Sequence, residues 1–131
     1  GYGRAYRSAL NGRWGILDVT DCEDAVRSVI HDGLVDPARI AIRGSSAGGF
    51  TVLSALAQGN LFRAGVSLYG IGDLDALAAA THKFEARYLD TLLGSADTRA
   101  ARSPIRHVGA IRAPCLLLQG SDDRVVPPGQ A

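Results

Sequence analysis

Residues 39–50 have the sequence RIAIRGSSAGGF, and this stretch decides how the fold of the chain is interpreted. Its first five residues, 39–43, predict a short strand. Residues 44–49 are rich in Gly and Ser, and the sequence FTVLSALA over residues 50–57 then returns to a helical pattern. Ser46 is therefore the centre of a Gly-x-Ser-x-Gly pattern that lies between a strand and a helix, which is the context that this motif requires.

The spacing of this motif has a steric reason and an electrostatic one. The sharp turn forces the serine into a strained backbone, and we expect glycines at 44 and 48 because side chains there would collide with the neighbouring strand and helix. The turn presents the Ser46 hydroxyl at the carboxyl end of the sheet, where open α/β folds bind ligands. The N–H of Ala47 is then predicted to donate to a developing oxyanion, an interaction worth about 3 kcal/mol.

The motif has two other interpretations. A Gly- and Ser-rich turn without chemical consequence is the simpler one, but the strand before it and the apolar helix after it favour a functional role. A phosphate-binding loop is the other, and the sequence lacks the Gly-Lys-Ser/Thr ending that such a loop needs. Ser46 is thus the predicted nucleophile, and Ala47 is the predicted oxyanion donor.

The segment before the motif predicts a loop followed by a helix. Residues 1–17 are rich in Gly, Arg and Tyr and predict a loop with a short helical turn. Apolar residues recur at helical spacing over residues 19–30, and Gly33 is the expected stop. Thr20 and Glu23 have the spacing of a capping box, which would place the start of the helix at Thr20.

Further strands are predicted at residues 64–69 (AGVSLY) and 115–119 (CLLLQ), with helices between them. Continuous apolar strands alternating with helices are typical of an α/β fold with a mostly parallel sheet and helices on both faces. Three strands are fewer than the five or six of a typical sheet. We therefore expect residues 1–131 to form one partial α/β-hydrolase domain that is truncated at both ends.

A candidate acid follows the third predicted strand, in the sequence GSDDRVVP over residues 120–127. A carboxylate at the carboxyl end of a strand can orient an imidazole and stabilise its charged form. Asp122 also follows Ser46 in the order, nucleophile then acid, that this fold uses. The alternative is a solvated turn, which Gly-Ser-Asp-Asp forms readily. Spacing alone does not choose between Asp122 and Asp123.

The base of such a triad is expected after the acid, and no histidine follows Asp122 in the chain. His31 lies near the end of the first long helix, His82 lies in a polar link between helices, and His107 lies on a short helix. All three precede Asp122, and we expect them to be structural or exposed. A serine without its base is a weak nucleophile. We therefore expect the catalytic histidine beyond residue 131 and expect the chain alone to be inactive.

Composition and charge narrow the class of protein. The chain has 14 Lys and Arg against 13 Asp and Glu, without a basic stripe interleaved with aromatics, so we expect no nucleic-acid partner. The apolar runs are only a few residues long, so no membrane span is predicted.

Cys22 and Cys115 are interpreted as buried free thiols, with a disulfide or a two-ligand metal site as less favoured alternatives. The compartment stays open, and the cytoplasm is favoured over secretion.

With these residues described, the chain resembles the catalytic domain of prolyl oligopeptidase-family serine peptidases, in the branch of dipeptidyl and acylaminoacyl peptidases. The resemblance extends over almost the whole chain and is far more specific than the serine motif alone. It rests on GYGR (1–4), WG (14–15) with Asp18 and Asp21, DPARI (36–40), GSSAGGF (44–50), AGV (64–66), THKFE (81–85), SP (103–104), AP (113–114) and GSDDRVVP (120–127).

The resemblance implies hydrolysis of peptide bonds in short peptides through an acyl-enzyme, with no cofactor and no metal. It matches Ser46 to the nucleophile and Asp122, the first of the Asp-Asp pair, to the acid. Arg124 matches a position that reaches a substrate carbonyl in some members, and a surface ion pair with Asp123 is the alternative.

The resemblance also concerns parts of the family that this sequence does not contain. It implies a tyrosine hydroxyl as second oxyanion donor, in a segment before residue 1, and an N-terminal β-propeller that screens substrates by size. An esterase or lipase of the same fold stays an alternative, since a fold does not fix a substrate. A non-catalytic hydrolase-like module that binds partners is the other alternative.

Overall fold

The computed structural model of the chain describes residues 1–80 and 88–131, together with the helical backbone of residues 83–87. The helices are α1 (Gly3–Ser8), α2 (Leu17–His31), α3 (Ala47–Gln58), α4 (Leu74–Ala80), α5 (Lys83–Leu93) and α6 (Ala96–Arg102), and the strands are β1 (Ala41–Ser45), β2 (Ala64–Leu68) and β3 (Cys115–Leu118). Short 3-10 helices form at Pro37–Arg39, Pro104–Ala110 and Pro128–Gln130. The predicted polar link with Thr81 and His82 lies outside the described residues.

The three strands form one parallel sheet in the order β1-β2-β3. The register pairs Ser45 with Leu68 and Leu68 with Leu118, so the carboxyl ends of all three strands meet at one edge. Parallel neighbours require a crossover, and α3 supplies the one between β1 and β2. The predicted α/β class with a parallel sheet is confirmed, and the three predicted strands all form.

Helix α3 packs directly on one face of the sheet, and a glycine in β2 makes this approach possible. A Cβ at Gly65 would lie 2.5 Å from Leu56 Cδ1 and 3.1 Å from Val52 Cγ1, both on α3. Strand β3, at the edge of the sheet, leaves Leu116, Leu117 and Leu118 53%, 46% and 46% exposed. Within the described residues, the helix that packs on β1 and β2 is α3.

The core consists of two apolar clusters, and α3 contributes side chains to both. One consists of Trp14, Phe50, Ile71, Leu74, Leu77, Leu89, Leu92, Leu93 and Val126. The other lies between α2, α3 and the sheet and consists of Val19, Val52, Ala55, Leu56 and Phe62. Cys22 and Cys115 pack against the second cluster as free, partly buried thiols. Burial is the main cause that raises the pKa of both thiols.

The start of the first long helix differs from its prediction. Helix α2 begins at Leu17, so Thr20 and Glu23 lie inside it and the predicted capping box is wrong. The Thr20 hydroxyl donates to the Ile16 carbonyl at 3.0 Å, one turn back, and Glu23 pairs with Arg27 at 2.7 Å. Both side chains thus have partners on the helix itself.

The first strand also starts later than predicted. Residues Pro37–Arg39 form a short 3-10 helix, and the Asp36 side chain accepts from the Ala38 N–H at 2.9 Å at its start. Strand β1 therefore occupies Ala41–Ser45 rather than residues 39–43, and it ends directly before Ser46.

None of the helices in the described parts of the chain has the length and apolar character needed to cross a membrane.

Candidate active site

Ser46 lies at the junction between β1 and α3 with a backbone conformation that is rare for a residue with a side chain. Its φ is 53° and its ψ is −121°. Its N–H donates to the Leu68 carbonyl on β2 at 3.0 Å, and its carbonyl accepts from the Phe50 N–H at 3.1 Å to start α3. Bonds to both neighbouring elements therefore hold the strained turn that the sequence predicts at this position.

The glycines around Ser46 do not all serve the same purpose. A Cβ at Gly44 would overlap the carbonyl of Gly48, so the predicted collision is found there. A Cβ at Gly48 would meet open space, so the collision predicted for that position is wrong. The tight position on α3 is Gly49, where a Cβ would lie 2.6 Å from Gly70 Cα and 2.8 Å from Ser67 Oγ. The helix thus approaches the end of β2 through Gly49 and Gly70.

Ala47 is the first residue of α3, directly after the serine. The first N–H groups of a helix have no acceptor inside the helix and carry the positive end of its dipole. Ala47 also lines the same cavity as Ser46. This position is compatible with the predicted oxyanion donor.

The two aspartates after β3 have different surroundings. The Asp123 carboxylate accepts from the N–H groups of Val125 and Val126, both at 2.9 Å, and so closes the turn. Asp122 is exposed, and in the described part of the chain its carboxylate has no hydrogen-bond or ion-pair partner. Arg124 is also exposed and makes no ion pair with Asp123 among those residues, so the alternative of a surface pair is not found.

Hydrogen bonds across the sheet edge connect the serine to this aspartate loop, which we define as residues 120–126. The Ser46 N–H is bonded to Leu68, and the next residue, Tyr69, donates its N–H to the Leu118 carbonyl at 2.6 Å. Gln119, directly after β3, donates from Nε2 to the Val126 carbonyl at 2.9 Å and holds the loop against the strand end. The structure therefore brings Ser46 and the aspartate loop to the same edge of the sheet.

A cavity of about 300 Å³ opens beside the serine. Apart from Ser46 itself, its described lining is almost entirely apolar and carries no charged side chain. The lining residues are Leu10, Trp14, Ser46, Ala47, Ile71, Leu77, Tyr88, Leu89, Leu92, Val125 and Val126. An apolar cleft with a few polar groups at one end is typical of a site for a small molecule or a side chain.

Sequence reasoning did not identify the walls of this cavity. Trp14 belongs to the WG motif of the family resemblance, and no motif in the sequence marks Tyr88 or Leu92 as part of a cavity wall. The available signal was the spacing of Tyr88 and Leu92, which at i and i+4 places both on one face of α5. Only the fold shows that this face is turned toward Ser46.

The described histidines lie away from the cavity. His31 is exposed in the last turn of α2, and a ring nitrogen of His107 lies 2.7 Å from the Ala101 carbonyl. Neither of these two residues lines the cavity beside Ser46. Neither described histidine is therefore placed to act as general base on Ser46, and the base stays a prediction.

Comparison with known proteins gives relatives over nearly the whole chain. The chain is 32% identical over 143 residues to the acylamino-acid-releasing enzyme of Arabidopsis thaliana. It is 29% identical over 133 residues to dipeptidyl aminopeptidase BIII of Pseudoxanthomonas mexicana. These alignments cover 97% and 94% of this chain but 18% and 19% of the relatives, so the chain spans about one fifth of their length.

Among solved structures, a puromycin-hydrolysing peptidase of Mycobacterium tuberculosis superimposes with a TM-score of 0.96 and 48% identity. That superposition covers 99% of this chain and 20% of the other. The family model described as the prolyl oligopeptidase family matches residues 1–131. Because this match includes every residue from the GYGR segment to the aspartate loop, the chain belongs to the prolyl oligopeptidase family.

Proposed function

We propose that the protein containing this chain is a serine peptidase that cleaves short peptides and aminoacyl amides through an acyl-enzyme on Ser46. The observation that carries the proposal is the strained backbone of Ser46, at φ 53°, beside an apolar cavity whose lining includes Val125 and Val126 of the aspartate loop. Strain at a polar side chain on the edge of a cavity is characteristic of functional sites.

In the proposed reaction, a histidine from outside this sequence accepts the Ser46 proton while Oγ attacks the acyl carbon. Asp122 orients that histidine and stabilises its charged form. The Ala47 N–H donates to the oxyanion of the tetrahedral intermediate. The C–N bond then breaks, the amine leaves with the proton from the histidine, and water attacks the acyl-enzyme in the same way to release the acid and free Ser46.

The lining of the cavity fits an apolar acyl group of the substrate, and an aromatic one in particular. Trp14 and Tyr88 contribute aromatic surface, and the aliphatic walls leave no described partner for a charged substrate side chain. Puromycin is itself an aromatic aminoacyl amide, and the puromycin-hydrolysing peptidase shares 48% of its aligned residues with this chain. We therefore propose phenylalanyl and tyrosyl amides, and puromycin, as preferred substrates.

The test compares amide and ester substrates on the full-length protein. We expect hydrolysis of phenylalanyl p-nitroanilide and of puromycin, with loss of both activities in Ser46→Ala. Hydrolysis of short acyl esters with no amide cleavage would replace the peptidase by an esterase of the same fold. Absence of both activities in full-length protein, together with no labelling by a fluorophosphonate, would leave a binding module instead.

A further inference from the structure

Residues 12–15, which we call the strap, contribute Trp14 to the lining of the cavity and are hydrogen-bonded to several other elements. On the α5 side, the Gly12 N–H donates to the Thr91 carbonyl at 2.9 Å and the Trp14 N–H donates to the Leu92 carbonyl at 3.3 Å. The Gly15 N–H donates to Asp18 Oδ1 at 2.6 Å, which ties the strap to α2. The strap therefore has a fixed backbone although it is not part of a helix or strand.

A charged side chain from α6 completes these bonds. Arg102 Nη1 donates to the Gly12 carbonyl and to the Trp14 carbonyl, each at 3.0 Å. These two carbonyls are two positions apart on the strap, with Arg13 between them, so a single guanidinium nitrogen fixes the turn that they enclose. Burial lowers the pKa of Arg102, and the nearby Asp18 carboxylate opposes that shift.

Trp14 is the residue of the strap that reaches the cavity. Its side chain is only 5% exposed, and its ring packs on Phe50 with centroids 4.5 Å apart and planes inclined by 48°. Gly15, with a φ of +84°, brings the strap close to this pair, since a Cβ there would lie 3.0 Å from Phe50 Cζ. The position of the indole therefore depends on the backbone that Arg102 holds.

We infer that Arg102 is a positioning residue that fixes Trp14 as a wall of the acyl cavity and so sets the preference for aromatic acyl groups. This inference rests on the proposed peptidase function. Arg102 does not line the cavity and does not contact the serine, so it acts on the substrate through Trp14. Its loss allows the strap to shift and removes the surface against which an aromatic ring packs.

A purely structural role for Arg102 makes a different prediction. A side chain that only stabilises the fold would, when replaced, lower the activity toward all substrates by the same factor. A residue that acts through Trp14 changes the ratio between aromatic and small acyl groups instead. The ratio of kcat/KM for phenylalanyl and alanyl p-nitroanilide is therefore the informative measurement.

The experiment uses the full-length protein and the variants Arg102→Met, Arg102→Lys and Arg106→Ala. Methionine keeps an apolar stem in place of Arg102 but removes both hydrogen bonds to the strap, and lysine restores a charged donor nitrogen. Arg106 is the control because it is an exposed arginine that pairs with Asp75 at 3.9 Å and makes no hydrogen bond to the strap among the described residues. We expect Arg102→Met to lower the Phe/Ala ratio roughly tenfold, mainly through KM for the phenylalanyl substrate.

We further expect Arg102→Lys to recover part of the ratio and Arg106→Ala to keep the wild-type value. Trp14→Leu should lower the ratio by itself, and the double variant Trp14→Leu with Arg102→Met should lower it no further, because both changes act on one wall. If Arg102→Met does not fold, Arg102→Gln, which keeps an uncharged amide NH2 on a shorter side chain, is measured in its place.

Two outcomes would overturn the inference while leaving the peptidase intact. One is an unchanged Phe/Ala ratio in Arg102→Met with both activities lowered equally. The other is a double variant whose ratio falls by the product of the two single effects. By contrast, wild-type protein that hydrolyses neither p-nitroanilide would contradict the proposed function itself.

Discussion

Ser46 and Tyr69 lie side by side at the carboxyl edge of the sheet, and both have a positive φ, of 53° and 37°. The pairing of Ser45 with Leu68 makes them lateral neighbours. In the described residues, no other residue with a side chain has a positive φ. Such conformations cost on the order of 1–3 kcal/mol each and persist only where surrounding bonds enforce them. The strain of the fold is therefore concentrated beside the predicted nucleophile.

The first prediction concerns this strain. Ser46→Gly removes the Cβ that the backbone accommodates poorly, so we expect the free energy of unfolding to rise by about 1 kcal/mol while activity is lost. The measurement is the thermal unfolding midpoint of the full-length protein. Ser46→Ala is the control because it also lacks the hydroxyl but keeps the Cβ. A glycine variant that is less stable than the alanine variant would show that the turn is not strained.

The second prediction separates the two aspartates. Asp122→Asn should lower kcat by about 10⁴-fold, because an amide holds a histidine in the wrong tautomer, and it should leave the unfolding midpoint unchanged. Asp123→Ala removes the acceptor of two backbone N–H groups, so we expect a stability loss of about 1–3 kcal/mol.

Kinetics and thermal unfolding of both variants, measured in parallel, check this assignment. The reverse pattern, with the large kinetic loss in Asp123→Ala and the stability loss in Asp122→Asn, would exchange the roles of the two residues.

The third prediction compares adjacent glycines of α3. Gly49→Ala places a Cβ 2.6 Å from Gly70 Cα, so we expect a destabilisation of about 1–3 kcal/mol. Gly48→Ala meets open space and has the better helix propensity, so we expect a gain of up to about 1 kcal/mol. Chemical denaturation of the two variants gives the sign of each change. Equal destabilisation by both would mean that the motif needs glycine for a reason other than the space around it.

The fourth prediction follows from the raised pKa values of Cys22 and Cys115. A raised pKa in the folded state disfavours the thiolate, so alkylation by iodoacetamide at pH 8 should be slower in the native than in the urea-unfolded protein. The stabilisation linked to the protonated thiols is fully present below the ordinary thiol pKa and is lost as the pH rises through the raised value.

Mass spectrometry of the peptides that contain Cys22 and Cys115 gives the two rates separately. Native rates equal to those of the unfolded protein would contradict the partial burial of these side chains.

Several features of the fold could be predicted because they depend on local patterns. The apolar runs of β2 and β3 and the Gly-rich turn at Ser46 are each contained in a few consecutive residues. Their order along the chain was enough to predict a parallel sheet with the serine at its carboxyl edge. The boundaries were less certain, as the start of α2 at Leu17 shows, because the Thr20 side chain bonds within the helix as readily as at its cap.

The features that could not be predicted depend on residues that are distant in sequence. Arg102 is 88 residues from Trp14, and no local pattern indicates that its guanidinium bonds the Trp14 carbonyl. The space around Gly49 likewise depends on where Gly70 lies. The bonding of Asp123 is a local exception, because the geometry of the turn over residues 123–126 brings two N–H groups to this carboxylate and none to that of Asp122.

The most direct test of the account is to locate the covalent adduct formed by an active-site probe. Full-length protein is treated with a fluorophosphonate, digested, and analysed by mass spectrometry, with Ser46→Ala treated in parallel. We predict a single adduct on Ser46, abolished by prior reaction with an aromatic chloromethyl ketone or by the substitution. An adduct on another serine, or hydrolysis of phenylalanyl p-nitroanilide at the wild-type rate by Ser46→Ala, would contradict the account.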